Sequence, residues 1–166
     1  TRRSSDLAIA VIIALCVNRF VLVNAEIPSG SMENTIMTGD RVFGNRLAYI
    51  FGEPKRFDII IFRYPDDEKQ LFIKRIIGLP GETVEIHDGQ IFIDGSKTPL
   101  KDVTTKEFMQ GSFGPYTVPD NCYFVMGDNR NNSKDSRYWE HTFVTDDEIV
   151  GKAFLRYWPL NKIKFL

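Results

Sequence analysis

The chain has 166 residues, enough for one good hydrophobic core or for a core with a small inserted subdomain. Its 21 Lys and Arg balance 22 Asp and Glu, so summed charge makes no case for nucleic acid, whose phosphates need clustered positive charge. A 43% hydrophobic fraction and 13% aromatics exclude an intrinsically disordered chain.

Arg2 and Arg3 precede an apolar run, LAIAVIIALCV at 7–17, and a shorter one, FVLV at 20–23. As a transmembrane helix, residues 7–23 span about 26 Å, close to the ~30 Å hydrocarbon core of a bilayer. Asn18 and Arg19 interrupt the run near its far end, where an arginine can snorkel to the headgroups. By the positive-inside rule, residues 1–6 are cytoplasmic and everything after Glu26 is outside. The same residues also fit a cleavable signal peptide, with an Arg-Arg n-region, an apolar h-region at 7–17 and Val23-Asn24-Ala25 as a small-residue cleavage site. Both readings export the rest of the chain. Cys16 in a bilayer and Cys122 in an exported domain cannot come within disulfide distance, and no Cys/His cluster has metal-ligand spacing.

Beyond Glu26 the pattern is β, and antiparallel sheets in a compact β domain are expected over 24–166. FDIIIFR (57–63) and LFIKRII (71–77) are β-branched and aromatic runs flanking the polar turn YPDDEKQ. TVEIH (83–87), then Asp88-Gly89, then QIFID (90–94) is a two-residue hairpin signal. CYFVM (122–126) and IVGKAFLRYW (149–158) complete the strands, RLAYIFG (46–52) is a short helix candidate, and 95–118 reads as a variable loop region.

Three places can carry chemistry. On a strand, Lys74 shares a face with Phe72 and Ile76, and desolvation there lowers an ammonium pKa toward that of a general base. Arg75 can equally be the inward residue, which leaves Lys74 on a solvated edge. In the stretch IPSGSMENTI (27–36), Ser31 offers a hydroxyl, Ser29 a second one, and Gly30 a close backbone approach, so that the Ser31 N–H can face an oxyanion. The bland alternative is a polar loop leaving the membrane. The stretch GDNRNNSKDSRYW (127–139) has turn composition, yet holds Arg130, Asp135 and Arg137, enough for a charge-assisted network, and a Ser133 that can hydrogen-bond an amine. Asn131-Asn132-Ser133 also fits the short glycosylation acceptor pattern. His87 and His141 are rival bases in polar surroundings, without a local G-x-S-x-G signature.

Taken in order, these segments resemble the bacterial type I signal peptidases, membrane-anchored Ser-Lys serine proteases. IPSGSMENTI is similar to the nucleophile box, Gly39-Asp40-Arg41-Val42 to the box that follows, and FIKRIIGLPGETVEI (72–86) to the base box. GDNRNNSKDSRYW is similar to the last, and IVGKAF with YWP (149–159) also fits. The resemblance implies a mainly β catalytic domain of signal-peptidase/repressor-protease type behind one transmembrane helix, and it selects the anchor over the cleaved peptide. It implies Ser31 as nucleophile, Lys74 as general base, the Ser31 N–H and Ser29 hydroxyl as oxyanion hole, and Ser133 orienting Lys74. Asp128, Arg130, Asp135 and Arg137 would hold the framework. It further implies signal-peptide-bearing preproteins with small P1 and P3 residues as substrates, a bilayer partner, a single-pass cell-membrane location, and no cofactor, metal or nucleic acid. Asn34 stands where the family usually has proline, which implies a less rigid turn. Glu140 stands where a glycine is usual, with a residue or two inserted. The rivals are a Ser-Lys self-cleaving repressor-type protease and a non-catalytic membrane-anchored accessory subunit.

Overall fold

The computed structural model describes residues 2–102 and 107–166, so residue 1 and part of the 95–118 loop region lie outside the described residues. Helix α1 (Arg2–Cys16) continues into a π-helical turn, Val17–Val21. The helical run therefore ends two residues before the expected 23, because Leu22 and Val23 open strand β1 (Leu22–Glu26), whose backbone pairs antiparallel with β2 (Arg41–Asn45). No helix among the described residues is long and apolar enough to cross a membrane. The segment Val23-Asn24-Ala25 is built into the sheet, and Val23 is only 3% exposed in the core.

The remaining strands are β3 (Ile59–Tyr64), β4 (Asp67–Gly78), β5 (Thr83–His87), β6 (Gln90–Ile93), β7 (Phe113–Thr117), β8 (Cys122–Met126), β9 (Val144–Thr145), β10 (Ile149–Trp158) and β11 (Lys164–Phe165). They form one sheet in the order β1-β2-β10-β3-β4-β8-β9, with β11 on β10, and a small sheet β6-β5-β7. Every strand pairing among the described residues is antiparallel, as the sequence pattern led one to expect.

Alternation explains where the cores sit. In β3, Ile59 and Ile61 enter one core with Met32, Ile36 and Ile73, while Ile60 and Phe62 enter a second with Ile76, Val125 and Trp139. A strand covered on both faces reads as a continuous apolar run, which is what 59–62 is. In β5, Val84 and Ile86 face a third core with Ile77, Phe124 and Met126, and His87 is exposed at the strand end. The turn after His87 has Asp88 and Gly89 both at positive φ, the geometry of a type I′ hairpin. Residues 46–52 form turns, not a helix: a single bond from Ile50 N–H to the Leu47 carbonyl closes one turn, and Gly52 and Pro54 end it before it can propagate. The turn between β3 and β4 is also tighter than YPDDEKQ suggests, with Tyr64 already paired to Asp67.

Candidate active site

Ser31 sits in a single 3-10 turn, Gly30–Met32, between an extended Ser29 and the buried Met32. Met32 is wholly buried against Ile27 and Ile36, which pins the turn to the core from one side. From Met32 to Thr35 the chain makes a type II turn: Glu33 is extended, Asn34 has φ 93°, and the Thr35 N–H bonds the Met32 carbonyl at 3.1 Å. Asparagine tolerates that left-handed conformation and proline cannot adopt it, so the Asn34 turn is hydrogen-bonded and distinct from one built on proline.

Strand β4 brings Lys74 to the turn. Its Nζ lies 2.7 Å from Ser31 Oγ and 3.1 Å from the Ile73 carbonyl, with the ring of Phe72 5.3 Å away. Lys74 is 3% exposed and Arg75 is 8% exposed, so both faces of β4 are covered here and neither residue is the solvated one. Burial draws the Lys74 pKa down from 10.5 to about 8, against the opposing pull of Asp135 and Asp128. Among the described residues no carboxylate forms an ion pair with it.

The carboxylates are occupied elsewhere. Asp128 takes a two-pronged bond from Arg75, at 2.8 and 2.6 Å, and a hydroxyl bond from Thr35. Asp135 accepts the Gly127 N–H at 3.0 Å and the Arg137 guanidinium at 2.8 and 2.9 Å. Arg137 also donates to the Arg130 carbonyl, and Arg130 donates to the Gly127 carbonyl and pairs with Asp102. All four loop residues singled out from the sequence are buried, Asp128 in its pair with Arg75 and the other three in a network of their own. Ser29 Oγ is 3.4 Å from Ser31 Oγ, and Ser29 is exposed. Ser133 is buried at the same place, but among the described residues its hydroxyl has no hydrogen-bond partner, Lys74 included.

Three contributors escaped the sequence reading. Asn129 donates from its backbone to the Ser31 carbonyl (3.1 Å) and from its side chain to the Gly30 carbonyl (3.0 Å). Arg75 and Thr35 are the partners that fix Asp128. The polar turn composition of 127–139 contains Asn129, but nothing in its spacing marks it apart from its neighbours. His87 and His141 are exposed, paired with Glu85 and Asp66, and line no part of this site.

Ser31 and Lys74 open onto a cleft of about 510 Å³. Ile27, Ile61, Leu71, Phe72 and Ile73 give it an apolar lining, which Asn24, Ala25 and Glu26 of β1 and Asn132 and Lys134 complete. A larger cavity of about 720 Å³, around Tyr49 and Tyr123, includes neither Ser31 nor Lys74. The paired hydroxyl and amine, rather than size, make the smaller cleft the candidate.

Over residues 2–158 the sequence matches the family described as signal peptidase, peptidase S26. The chain belongs to that family. It is 38% identical to the Probable signal peptidase I-2 of Synechocystis sp. (strain ATCC 27184 / PCC 6803 / Kazusa), an alignment covering 95% of this chain and 72% of the relative. It is 37% identical to Signal peptidase I T of Bacillus subtilis (strain 168), covering 95% and 85%. The crystal structure of a signal peptidase I from Enterococcus faecalis V583 superposes with a TM-score of 0.51 at 37% identity, covering 60% of this chain and 96% of that one. The mainly antiparallel β fold is thus that of the S26 family, and the chain is an S26 serine peptidase.

Proposed function

We propose that this S26 peptidase is a membrane-anchored endopeptidase that removes N-terminal signal peptides from exported preproteins, with Ser31 as nucleophile and Lys74 as general base. The observation that carries the assignment is the 2.7 Å approach of a nine-tenths-buried amine, its pKa lowered to about 8, to a serine hydroxyl. Neutral Lys74 accepts the Ser31 proton as Oγ bonds the carbonyl carbon of the P1 residue, and the carbonyl π pair moves to oxygen. The Ser31 N–H lies in the first turn of a helical segment, where N–H groups lack an internal partner, and with the Ser29 hydroxyl it receives that oxyanion. Lys74 returns the proton to the leaving amine as the C–N bond breaks, leaving an ester on Ser31. Lys74 then deprotonates a water that hydrolyses the ester and restores the hydroxyl. Ser133, buried beside the Ser31 turn, is the hydroxyl available to orient the amine although it is not bonded to Lys74 here, while Arg75 on Asp128 and Arg137 on Asp135, with Arg130 beside them, keep those carboxylates engaged away from it. The scheme uses no cofactor and no metal.

The substrate reading rests on the cleft. Among the described residues β1 pairs only with β2, and β4 up to Lys74 pairs only with β3, which leaves two backbone edges bordering the cleft. An extended peptide can add to such edges, with alternate side chains entering the wall. An apolar wall beside Ser31 admits small P1 and P3 residues and excludes large ones sterically.

The anchor reading rests on exposure. Leu7, Ile9, Val11, Ile12, Ile13 and Leu15 are each 50% exposed or more on α1, a surface that nothing among the described residues covers. The 15 residues of α1 span about 22 Å, a shortfall that bilayer thinning and the π-turn Arg19 can accommodate. Arg2 and Arg3 orient the N-terminus to the cytoplasm and the catalytic domain to the outer face.

Cleavage of a synthetic leader peptide by the wild type, Ser31→Ala and Lys74→Ala tests the assignment. Both variants lose turnover; product from Lys74→Ala at a wild-type rate sinks it.

A further inference from the structure

The nucleophile turn is the tip of a closed loop. Residues 27–40 return on themselves, with Ile27 N–H bonding the Asp40 carbonyl at 3.0 Å and Gly39 N–H bonding the Ile27 carbonyl at 2.8 Å. Asp40 is 4% exposed, and its carboxylate accepts the Met37 N–H at 2.8 Å. Facing that carboxylate is Arg156, which projects from the far end of β10. Its Nη1 is 3.1 Å from Asp40 Oδ2 and 3.3 Å from the Thr35 carbonyl, and its Nε is 3.0 Å from the Lys162 carbonyl.

We infer that Arg156 is a positioning residue for Ser31, acting through Asp40 and Thr35. Thr35 is gripped from two sides: its hydroxyl bonds Asp128, which Arg75 holds, and its carbonyl bonds Arg156, which Asp40 holds. The Thr35 N–H in turn closes the type II turn onto Met32, the residue after Ser31. Two arginine–aspartate pairs, one from β4 and the 127–139 loop and one from β10 and the loop's own base, therefore fix one residue four positions beyond the nucleophile. Only a planar fork can reach the carboxylate and two carbonyls at once, so a lysine restores the charge and only part of the grip. Loss of the guanidinium leaves a buried carboxylate without its counter-ion and the Thr35 carbonyl without its donor. The back of the loop then loosens, and the Ser31–Lys74 approach is no longer held at one distance.

This inference rests on the Ser31–Lys74 reading for its catalytic consequence but not for its structural one, and the two are measured separately in the full-length protein. Amide hydrogen exchange of Arg156→Met reads the loop directly: residues 32–40 exchange about 10-fold faster while β3 and β8 keep wild-type protection. Leader-peptide kinetics, normalised to the folded fraction by circular dichroism, read the chemistry. The expected result is a kcat lowered roughly 10- to 100-fold with KM within about two-fold, since misplacement of a reacting group acts on the chemical step. Arg156→Lys falls between wild type and Arg156→Met on both readouts. If Arg156→Met does not fold, Arg156→Lys and Asp40→Asn carry the same two measurements. Unchanged exchange at 32–40 in a folded variant overturns the clamp, and so does unchanged kcat. A wild type that fails to cleave the peptide overturns the functional reading instead, with the exchange result still deciding the clamp.

Discussion

Lys74 can act as a base only while its amine is uncharged, so the pH dependence follows from its burial. With a folded pKa near 8, kcat/KM for leader-peptide cleavage rises as pH passes upward through about 8 and is lost below it. A profile centred on about 10.4, the ordinary lysine value, excludes a desolvated base. The same shift has a stability consequence. The unfolded amine titrates at 10.5 and the folded one lower, so the unfolded state binds more protons between those values, and stability rises with pH across that window. Lys74→Met, of similar reach and without charge, therefore abolishes cleavage while raising the unfolding free energy by roughly 1–3 kcal/mol in a denaturant titration. By contrast His87→Ala and His141→Ala leave cleavage within about three-fold, because both rings are exposed and neither borders the cleft. Asn34 makes a separate test. At φ 93° it accepts glycine, whereas Asn34→Pro forces the turn open and destabilises by at least ~1 kcal/mol with loss of activity. Strand parity alone left Arg75 equally eligible, and the hydroxyl-rich turn alone left a plain polar loop; that Ser31 and Lys74 meet was legible from the ordered motifs of the resemblance. Asn129 was not, since its role depends on where two loops 99 residues apart meet.

Between elements, the contact that bears most directly on the site is at Gly127, just past the end of β8. A methyl group there would come within 2.3 Å of the Ser31 carbonyl and of Ser133 Oγ. The carbonyl belongs to the Ser31 turn, so relief must displace Ser31 itself, and on the proposed mechanism Gly127→Ala lowers kcat on the order of 10²-fold with the fold retained by circular dichroism. The Arg75–Asp128 pair locks the same junction from β4, and Asp128→Asn, which leaves a buried guanidinium without its anion, costs roughly 3–5 kcal/mol in chemical denaturation. Strands that alternate or run apolar over their whole length, β5, β8 and β10, have the bounds their sequences suggest. Strand β7 reads as loop because FGPYT contains glycine and proline, and it is extended only because β5 offers an edge to pair with. The insertion at Glu140 is likewise accommodated by a distant group: Asp66, in the β3–β4 turn, accepts the N–H groups of Glu140 and His141, bonds that hold its carboxyl well below the usual range. A strand propensity or a turn composition cannot report a partner 75 residues away.

At the scale of the whole molecule, the apolar N-terminal run divides into two structures that periodicity cannot separate. Residues 2–21 are helical, with residues 6–20 exposed, whereas Leu22–Glu26 are a strand with Val23 in the core. A short apolar run fits helix and strand alike, and the choice is made by β2, which supplies the pairing partner. The division has a functional consequence, because β1 leads from the exposed helix directly into the Ser31 loop and borders the cleft through Asn24, Ala25 and Glu26. On the proposed anchor reading, a helix joined to the Ser31 cleft by one strand would hold Ser31 at a set height above the bilayer. Tethering enzyme and preprotein to one surface raises their effective concentration by about 10²–10⁴ without any new contact. Deleting residues 1–21 keeps β1 and every residue of the cleft. The truncated protein should cleave a soluble leader peptide within about three-fold of the full chain but a vesicle-bound preprotein at least ~10²-fold more slowly. Flotation with liposomes supplies the companion measurement: the full chain floats and the truncated one stays in the aqueous fraction. Equal rates on both substrates, together with a full chain that does not float, would remove the anchor from the mechanism and leave the Ser31–Lys74 cleft to act on its own.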